Sequence, residues 1–149
     1  MTSVSPAYDA SIVIVNYNTR ELLAVCLESL FSVVSGISFE VWVVDNDSSD
    51  GSADMVENSF PQVHCIRNSA NLGFARANNQ AMRQVAGRYL VLLNSDTIVL
   101  PLALETIISF MDKQYDVGVC GGQLLNRDGS RQNSIANIPT LATELLNKS

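Results

Sequence analysis

Four apolar runs in this chain end abruptly in polar groups. "SIVIVNYN" (11–18) ends in Asn16, Tyr17 and Asn18, and "FEVWVVDND" (39–47) in Asp45, Asn46 and Asp47. "VHCIRN" (63–68) runs into Asn68, then Asn71 and Gly73, and "YLVLLNSD" (89–96) closes on Asn94, Ser95 and Asp96. A carboxylate at the end of a buried run costs free energy unless a cation, a donor or water meets it. Asp96 therefore either ends its strand in solvent as a turn residue or sits in a cleft and holds something positive. The chemistry open to such a set is recognition of a polar ligand by amides and carboxylates, with or without a metal ion.

The elements that must carry these groups alternate. "SIVIVNY" is a β-branched run of strand length, and "TRELLAVCLESLFSV" (19–33) switches to helical spacing with Leu22, Cys26, Leu30 and Val33 on one stripe. A second strand (39–46) precedes a short helix in "DGSADMVENSF", capped by Ser49 or Asp50 and stopped before Pro61. A weaker third strand leads to a helix over 73–85 with Ala77, Ala81 and Val85 inward. The fourth strand follows, then a helix over 101–114 with Pro101 in its first turn. "VGVCGGQLL" predicts a fifth strand and "NRDGSR" a hairpin turn. This β-α-β-α order with continuous apolar strands predicts an α/β fold, a mostly parallel sheet flanked by helices on both faces. In such sheets ligands bind beyond the carboxyl ends of the strands. The polar tips gather there, while the opposite ends carry little beyond ordinary turn residues. That asymmetry favours a ligand cleft.

Composition narrows the class. The 149 residues suffice for a single domain, 1–149, that buries roughly 70% of its unfolded surface. With 47% hydrophobic and 16% charged residues, the chain is globular. A net charge of -6 argues against a general nucleic-acid binder but not against nucleotides. Cys26, Cys65 and Cys120 lie far apart in apolar runs and read as buried thiols of a reducing compartment. His64 is the sole histidine, which leaves little for a histidine-based site. With no signal-peptide pattern and no spanning apolar run, the chain reads as cytoplasmic.

Taken together, "VNYN...LLAVCLESL", "VVDNDSSDGS", "NLGFARANN" and "LLNSD" resemble the nucleotide-binding half of glycosyltransferase family 2, with its GT-A (Rossmann-like) fold, over residues 11 to about 130. The variants "NYN", "NLGFA" and "LNSD" look most like the rhamnosyltransferase-like branch. The resemblance implies that Asn16, Tyr17, Asn18, Asp45, Asn46, Asn71, Gly73, Phe74, Arg76, Asn94 and Ser95 bind a nucleotide and that Asp96 binds Mg²⁺ or Mn²⁺. Tyr17 offers a ring for a nucleobase to stack on, or packs on the sheet edge. Asp45 can accept the imide N–H of uracil or thymine, or cap a turn. Asp47 and Asp50 suit turn and capping roles at least as well as ligand contact. Gly73 lets backbone approach a diphosphate at a helix N-terminus, and Arg76 either reaches phosphate or is a surface arginine. Asn78 and Asn79, unfavourable inside a helix, predict at least one hydrogen bond to the preceding loop.

"NSD" stands where the family has its D-x-D motif, so Asn94 removes one negative charge from the metal site. The implied reaction transfers a sugar from a nucleoside-diphosphate sugar (dTDP-rhamnose or a UDP-sugar) to a saccharide or lipid-linked acceptor hydroxyl, with inversion. The implied setting is cell-surface polysaccharide synthesis, with the enzyme cytoplasmic or peripheral at the inner face of the membrane. In the family the base that deprotonates the acceptor comes from a later region, and neither Asp128, in the hairpin turn, nor Glu144, in a terminal helical stretch, matches its position. The expectation is a fragment that binds nucleotide without completing transfer. A non-catalytic nucleotide-binding or interaction module of the same fold is the other reading.

Overall fold

The computed structural model describes residues 6–132, and the terminal helical stretch read around Glu144 lies outside them. Four strands, β1 (Tyr8–Asn16), β2 (Phe39–Asp45), β3 (His64–Arg67) and β4 (Gly87–Asn94), alternate with α1 (Arg20–Val33), α2 (Ser52–Ser59), α3 (Phe74–Met82) and α4 (Ala103–Lys113). The strands form a parallel sheet in the order β3-β2-β1-β4. β1 is central, and the order reverses between β1 and β4, the place where parallel sheets open a crevice. Register pairs Asn16 with Asp45 and Val15 with Asn94, so the polar tips end level with one another.

Alternation along the strands builds two apolar layers. Ile12, Ile14, Val41 and Val43 point to one face and pack with Leu23, Cys26, Leu27 and Leu30 of α1, Val56 of α2 and Leu104 of α4. Val13 and Val44 point to the other and meet Ala77 and Ala81 of α3, with Val85 alongside. The buried stripe of α1 is thus Leu23, Cys26, Leu27 and Leu30, shifted from the Leu22–Val33 stripe expected; Leu22 is exposed. The β1 and β2 side chains facing α1 select the stripe, and the alternative spacing through Leu22 loses because it turns away from them. Pro101 lies in a turn ahead of α4 rather than in its first turn, with Leu102 in a left-handed conformation (φ 62°). β4 is an edge strand. Its Leu90 and Leu92, in register with Ser11 and Val13, lie on the α3 face yet remain 43% and 50% exposed.

The fifth strand over 117–125 does not form. The described residues from Val117 onward belong to a second compact unit and hold a single antiparallel bridge, Leu125 to Arg131. Val119 is 89% exposed there, and a strand cannot persist without a neighbour to take its backbone groups. The "NRDGSR" turn does form, closed by Gly129 N to Asn126 O (2.9 Å) and Ser130 N to Asp128 Oδ1 (2.9 Å). The cysteines also differ from expectation, since Cys26 is buried but Cys65 and Cys120 are only half-buried. Burial pushes the Cys26 and Cys65 thiols up to about 11.

A further correction concerns the N-terminal ends of the strands, which carry more than turn residues. Glu40 is buried there and accepts from Ser11 Oγ (2.5 Å), Ala86 N (2.7 Å) and Trp42 Nε1 (2.9 Å). Ser11 Oγ in turn accepts from Gly87 N at 2.8 Å. Gly87 has no substitute at this point, because a Cβ would lie 2.5 Å from Ser11 N. Trp42 stacks on His64 with ring centroids 4.3 Å apart. One carboxylate thereby joins β1, β2 and the chain entering β4.

Burial pushes the Glu40 carboxyl up, but donation from Ala86, Ser11 and Trp42 together with nearby His64 outweighs it and holds the group below its usual 4.5. A lowered folded value means stabilisation that is complete above the ordinary carboxylate range and is lost as pH falls through the folded value. Glu40→Gln is therefore expected to cost about 1.5–3 kcal/mol at neutral pH, the scale of hydrogen bonds to a charged group. It should also flatten the acid limb of stability. Urea unfolding of both proteins in steps down through the carboxylate range checks this; an acid limb unchanged in the variant would assign the titration elsewhere.

Candidate functional site

The four strand tips form one continuous hydrogen-bonded rim. Asp45, 3% exposed, accepts from Asn16 Nδ2 on Oδ1 (3.0 Å) and from Ser48 N on Oδ2 (3.0 Å). Asn16 Nδ2 also reaches Ser48 Oγ (3.1 Å), which accepts from Asn18 N (2.9 Å). Asn18 Oδ1 accepts from Ser49 N at 2.8 Å, with Asn18 itself in a left-handed conformation (φ 53°). The turns after β1 and β2 are thus sewn together by short polar side chains, whose favoured local bonds make such turns. Gly51 (φ 79°), rather than Ser49 or Asp50, takes the N-cap position of α2, and Asp50 serves the turn just before it. Asp50 Oδ1 accepts from Ser52 N (3.0 Å) and the Ser52 hydroxyl, while Oδ2 accepts from Arg20 N (2.9 Å) at the start of α1. Asp47 is exposed at φ 71° in the same turn. A shallow groove lined by Asn18 to Leu22 and Asp50 lies at the lip of the rim.

Asn46 fastens the next loop. It is 2% exposed; its Oδ1 accepts from Leu72 N (3.0 Å) and Asn68 Nδ2 (3.1 Å), and its Nδ2 donates to Asn71 Oδ1 (2.7 Å). Asn71 Oδ1 also takes Gly73 N at 2.9 Å. Asn68 and Gln80 exchange two amide bonds of 2.9 Å, which tie the loop to α3. Gly73 precedes α3 at φ 78°, ψ 162°, a conformation essentially reserved for glycine. Among the described residues no side chain caps the α3 N-terminus. Phe74 and Arg76 are exposed in its first turn, Asn79 is exposed, and Asn78 is buried with its Nδ2 bonded to Phe74 O at 2.9 Å. The tie to the preceding loop expected of this asparagine pair is not seen among the described residues, because Asn78 bonds instead to the first residue of its own helix.

On the other side of β1, Thr19 Oγ1 donates to Asn16 Oδ1 (2.6 Å) and lies 2.9 Å from Ser95 Oγ. Asn94 O accepts from Thr97 N (3.2 Å), which turns the chain so that Asn94 and Asp96 are exposed. Among the described residues no hydrogen bond or ion pair engages the Asp96 carboxylate, in contrast to Asp45 and Asp50. Tyr17 stands 50% exposed at the tip of β1. Thr19 and Ser48 are rim residues that sequence reasoning missed; a hydroxyl beside a strand-end amide was the available signal, in "NYNT" and "DNDS".

The chain at the end of β4 offers a carboxylate from Asp96, a hydroxyl from Ser95 and an amide oxygen from Asn94. No group of three or more His, Cys, Asp or Glu residues able to hold a metal is found among the described residues. One carboxylate with neutral oxygens suits Mg²⁺ or Mn²⁺ that takes its remaining ligands from phosphate and water, and does not suit an ion caged by protein alone.

The family model described as Glycosyl transferase family 2 matches residues 11–148. The chain belongs to that family. Within it, a relative from Escherichia coli, UDP-Glc:alpha-D-GlcNAc-diphosphoundecaprenol beta-1,3-glucosyltransferase WfgD, is 31% identical over 107 residues, covering 71% of this chain and 42% of its own. TarS of S. aureus, residues 1-349 in complex with UDP, superposes with a TM-score of 0.65 at 24% identity over 72% of this chain and 33% of its own. A mannosyltransferase of Pyrobaculum calidifontis in complex with GDP-Man and Mn²⁺ gives 0.63 at 21% identity, covering 73% of this chain and 35% of its own. These structural likenesses show the GT-A-like fold. The chain spans less than two-thirds of the length of each of these proteins.

Because Asn46 carries three bonds to the loop at 68–73, Asn46→Ala should release that loop. We expect amide exchange at Leu72 to accelerate and global stability to fall by about 1–3 kcal/mol, the cost of leaving buried partners unpaired. Hydrogen exchange followed by NMR checks it; unchanged protection at Leu72 would show that backbone geometry alone holds the loop.

Proposed function

We propose that this chain is the donor-binding part of an inverting glycosyltransferase. On this reading the enzyme moves a sugar from a nucleoside-diphosphate sugar, a UDP-sugar or dTDP-rhamnose, to a saccharide or lipid-linked acceptor hydroxyl in cell-surface polysaccharide synthesis. The observation that carries this reading is the pattern of satisfied and unsatisfied groups at one sheet edge. Asp45, Asn46 and Asp50 are bound into the rim, whereas Tyr17, Asp96 and the uncapped start of α3 face outward beside one another in the topology. Family membership and the UDP named for TarS support the nucleotide. The diphosphoundecaprenol in the name of the E. coli relative supports a lipid-linked acceptor, and with it a peripheral position at the inner face of the membrane. No helix among the described residues is long and apolar enough to cross a membrane.

In this scheme Tyr17 stacks on the base. Asp45 uses one lone pair of each oxygen within the protein, so each oxygen keeps acceptor capacity, and the imide N–H of uracil or thymine is the complementary donor. Gly73 and the first backbone N–H groups of α3 lie along the ribose and diphosphate, with Arg76 within its first turn. Asn71 shapes that loop from its foot. Asp96, with Asn94 and Ser95, would hold Mg²⁺ or Mn²⁺, which when bound supplies Lewis-acid neutralisation of the departing diphosphate. Asn94 lowers the charge of this corner by one relative to a pair of acids, so the ion is held mainly when nucleotide brings its phosphates.

UDP titration with and without Mn²⁺ tests the assignment. The chain should bind UDP, and Mn²⁺ should tighten binding. Asp96→Ala should remove the gain due to Mn²⁺, about 10- to 100-fold for a charged contact, and leave metal-free affinity nearly unchanged. Full metal-dependent affinity in the variant would reduce Asp96 to a strand-ending turn residue, and no UDP binding by the intact chain would overturn the reading.

A further inference from the structure

Proton counting along the rim gives a direction to its hydrogen bonds. A carboxylate only accepts, so the buried Asp45 dictates that Asn16 turns its amide nitrogen toward Asp45 Oδ1 (3.0 Å) and Ser48 Oγ (3.1 Å). The flipped amide would set an oxygen against the carboxylate at the same distance. Asn16 Oδ1 must then face Thr19 Oγ1 at 2.6 Å, and an amide oxygen also only accepts. The single hydroxyl hydrogen of Thr19 is thereby committed. The contact of 2.9 Å between Thr19 Oγ1 and Ser95 Oγ has two possible directions taken alone, but only one remains: Ser95 donates to Thr19. Thr19 itself is firmly mounted, since its carbonyl accepts Leu23 N at 2.8 Å in the first turn of α1.

We propose that Thr19 is a positioning residue that makes Ser95 an acceptor-only group toward the cleft. With its one hydrogen directed at Thr19, Ser95 presents lone pairs beside Asp96. Such a corner takes a divalent cation, a metal-bound water or a ligand hydroxyl, and repels a bare phosphate oxygen. The chain Ser95 to Thr19 to Asn16 to Asp45 thus fixes which side of a nucleoside diphosphate meets the end of β4: the metal-bearing side. The ligand part of this inference rests on the nucleotide reading above; the hydrogen directions do not.

Two measurements test it on the 149-residue chain. In a neutron structure of the deuterated protein, the Thr19 deuterium should lie toward Asn16 Oδ1 and the Ser95 deuterium toward Thr19 Oγ1; a Thr19 deuterium aimed at Ser95 overturns the proposal. Second, Thr19→Val keeps the shape and removes both bonds, freeing Ser95 to turn its hydrogen outward. UDP titration should show the Mn²⁺-dependent gain reduced about three- to tenfold, the scale of one net hydrogen bond, with metal-free affinity held or raised. Thr19→Ser, which keeps the hydroxyl, should restore the wild-type split. Equal loss of metal-free and metal-dependent affinity in Thr19→Val would mean a merely structural role and would overturn the proposal. If the wild-type chain binds no UDP under either condition, the nucleotide reading and the ligand selectivity fall together, and the neutron map alone decides whether Thr19 sets the direction of the chain.

Discussion

Asp45 leaves the sheet with a carboxylate and almost no water, so donors must come to it. They come from both sides of the central pair of strands: an amide from the end of β1 and a backbone N–H from the turn after β2. Meeting that demand orients Asn16, and Asn16 in turn holds Ser48 and Thr19. From those contacts the turns at Asn18 and Ser49, the start of α1 and the corner at Ser95 inherit their places. A buried acceptor without partners would cost several kcal/mol, which is why the polar rim is closed where it is buried and open only where it meets solvent.

The same logic separates the acidic residues by task. Asp50 and Asp45 are held by donors on both oxygens, and Glu40 performs the equivalent service at the opposite end of the strands, where it binds β1, β2 and the entry to β4 into one corner. Among the described strand-end carboxylates, Asp96 and the exposed turn residue Asp47 are left outside this accounting. Such division allows a rigid frame and a responsive group to coexist on one sheet edge: the frame's acceptors are satisfied by donors within the protein, and a carboxylate left without them is open to a ligand.

The strand endings were legible in the sequence because a parallel sheet imposes apolar runs that must stop where burial stops; "VWVVDND" and "LLNSD" carry the signal in a few residues. Family kinship was legible for the same reason, since the motifs are those endings. What escaped the sequence were partnerships across the sheet. Nothing in "EVW" marks Glu40 as the acceptor for Ser11 and Ala86, because the three meet only after β1, β2 and β4 are side by side. Asn46 could be placed at a strand tip, but its bonds to Leu72, Asn68 and Asn71 depend on a loop more than 20 residues away. The α1 stripe was misread by one position because Leu22 and Leu23 are equally apolar and only the facing strands choose between them. The strand read in "VGVCGGQLL" failed for want of a neighbour, which local pattern does not report.

The strand order has a consequence for how the two sides of the cleft come into being. Asn16 and Asp45 are separated by 29 residues, and Thr19 and Ser95 by 76. Closing the longer loop costs only about 0.9 kcal/mol more chain entropy, yet it must wait for the intervening α2, β3 and α3 to be synthesised and packed. During synthesis from the N-terminus, β1, α1 and β2 can therefore assemble the Asp45 side as soon as they emerge. β4 then docks against the far side of a strand that already has one partner. The rim can thus mature in two stages, the Asp45 side first and the Ser95 corner second.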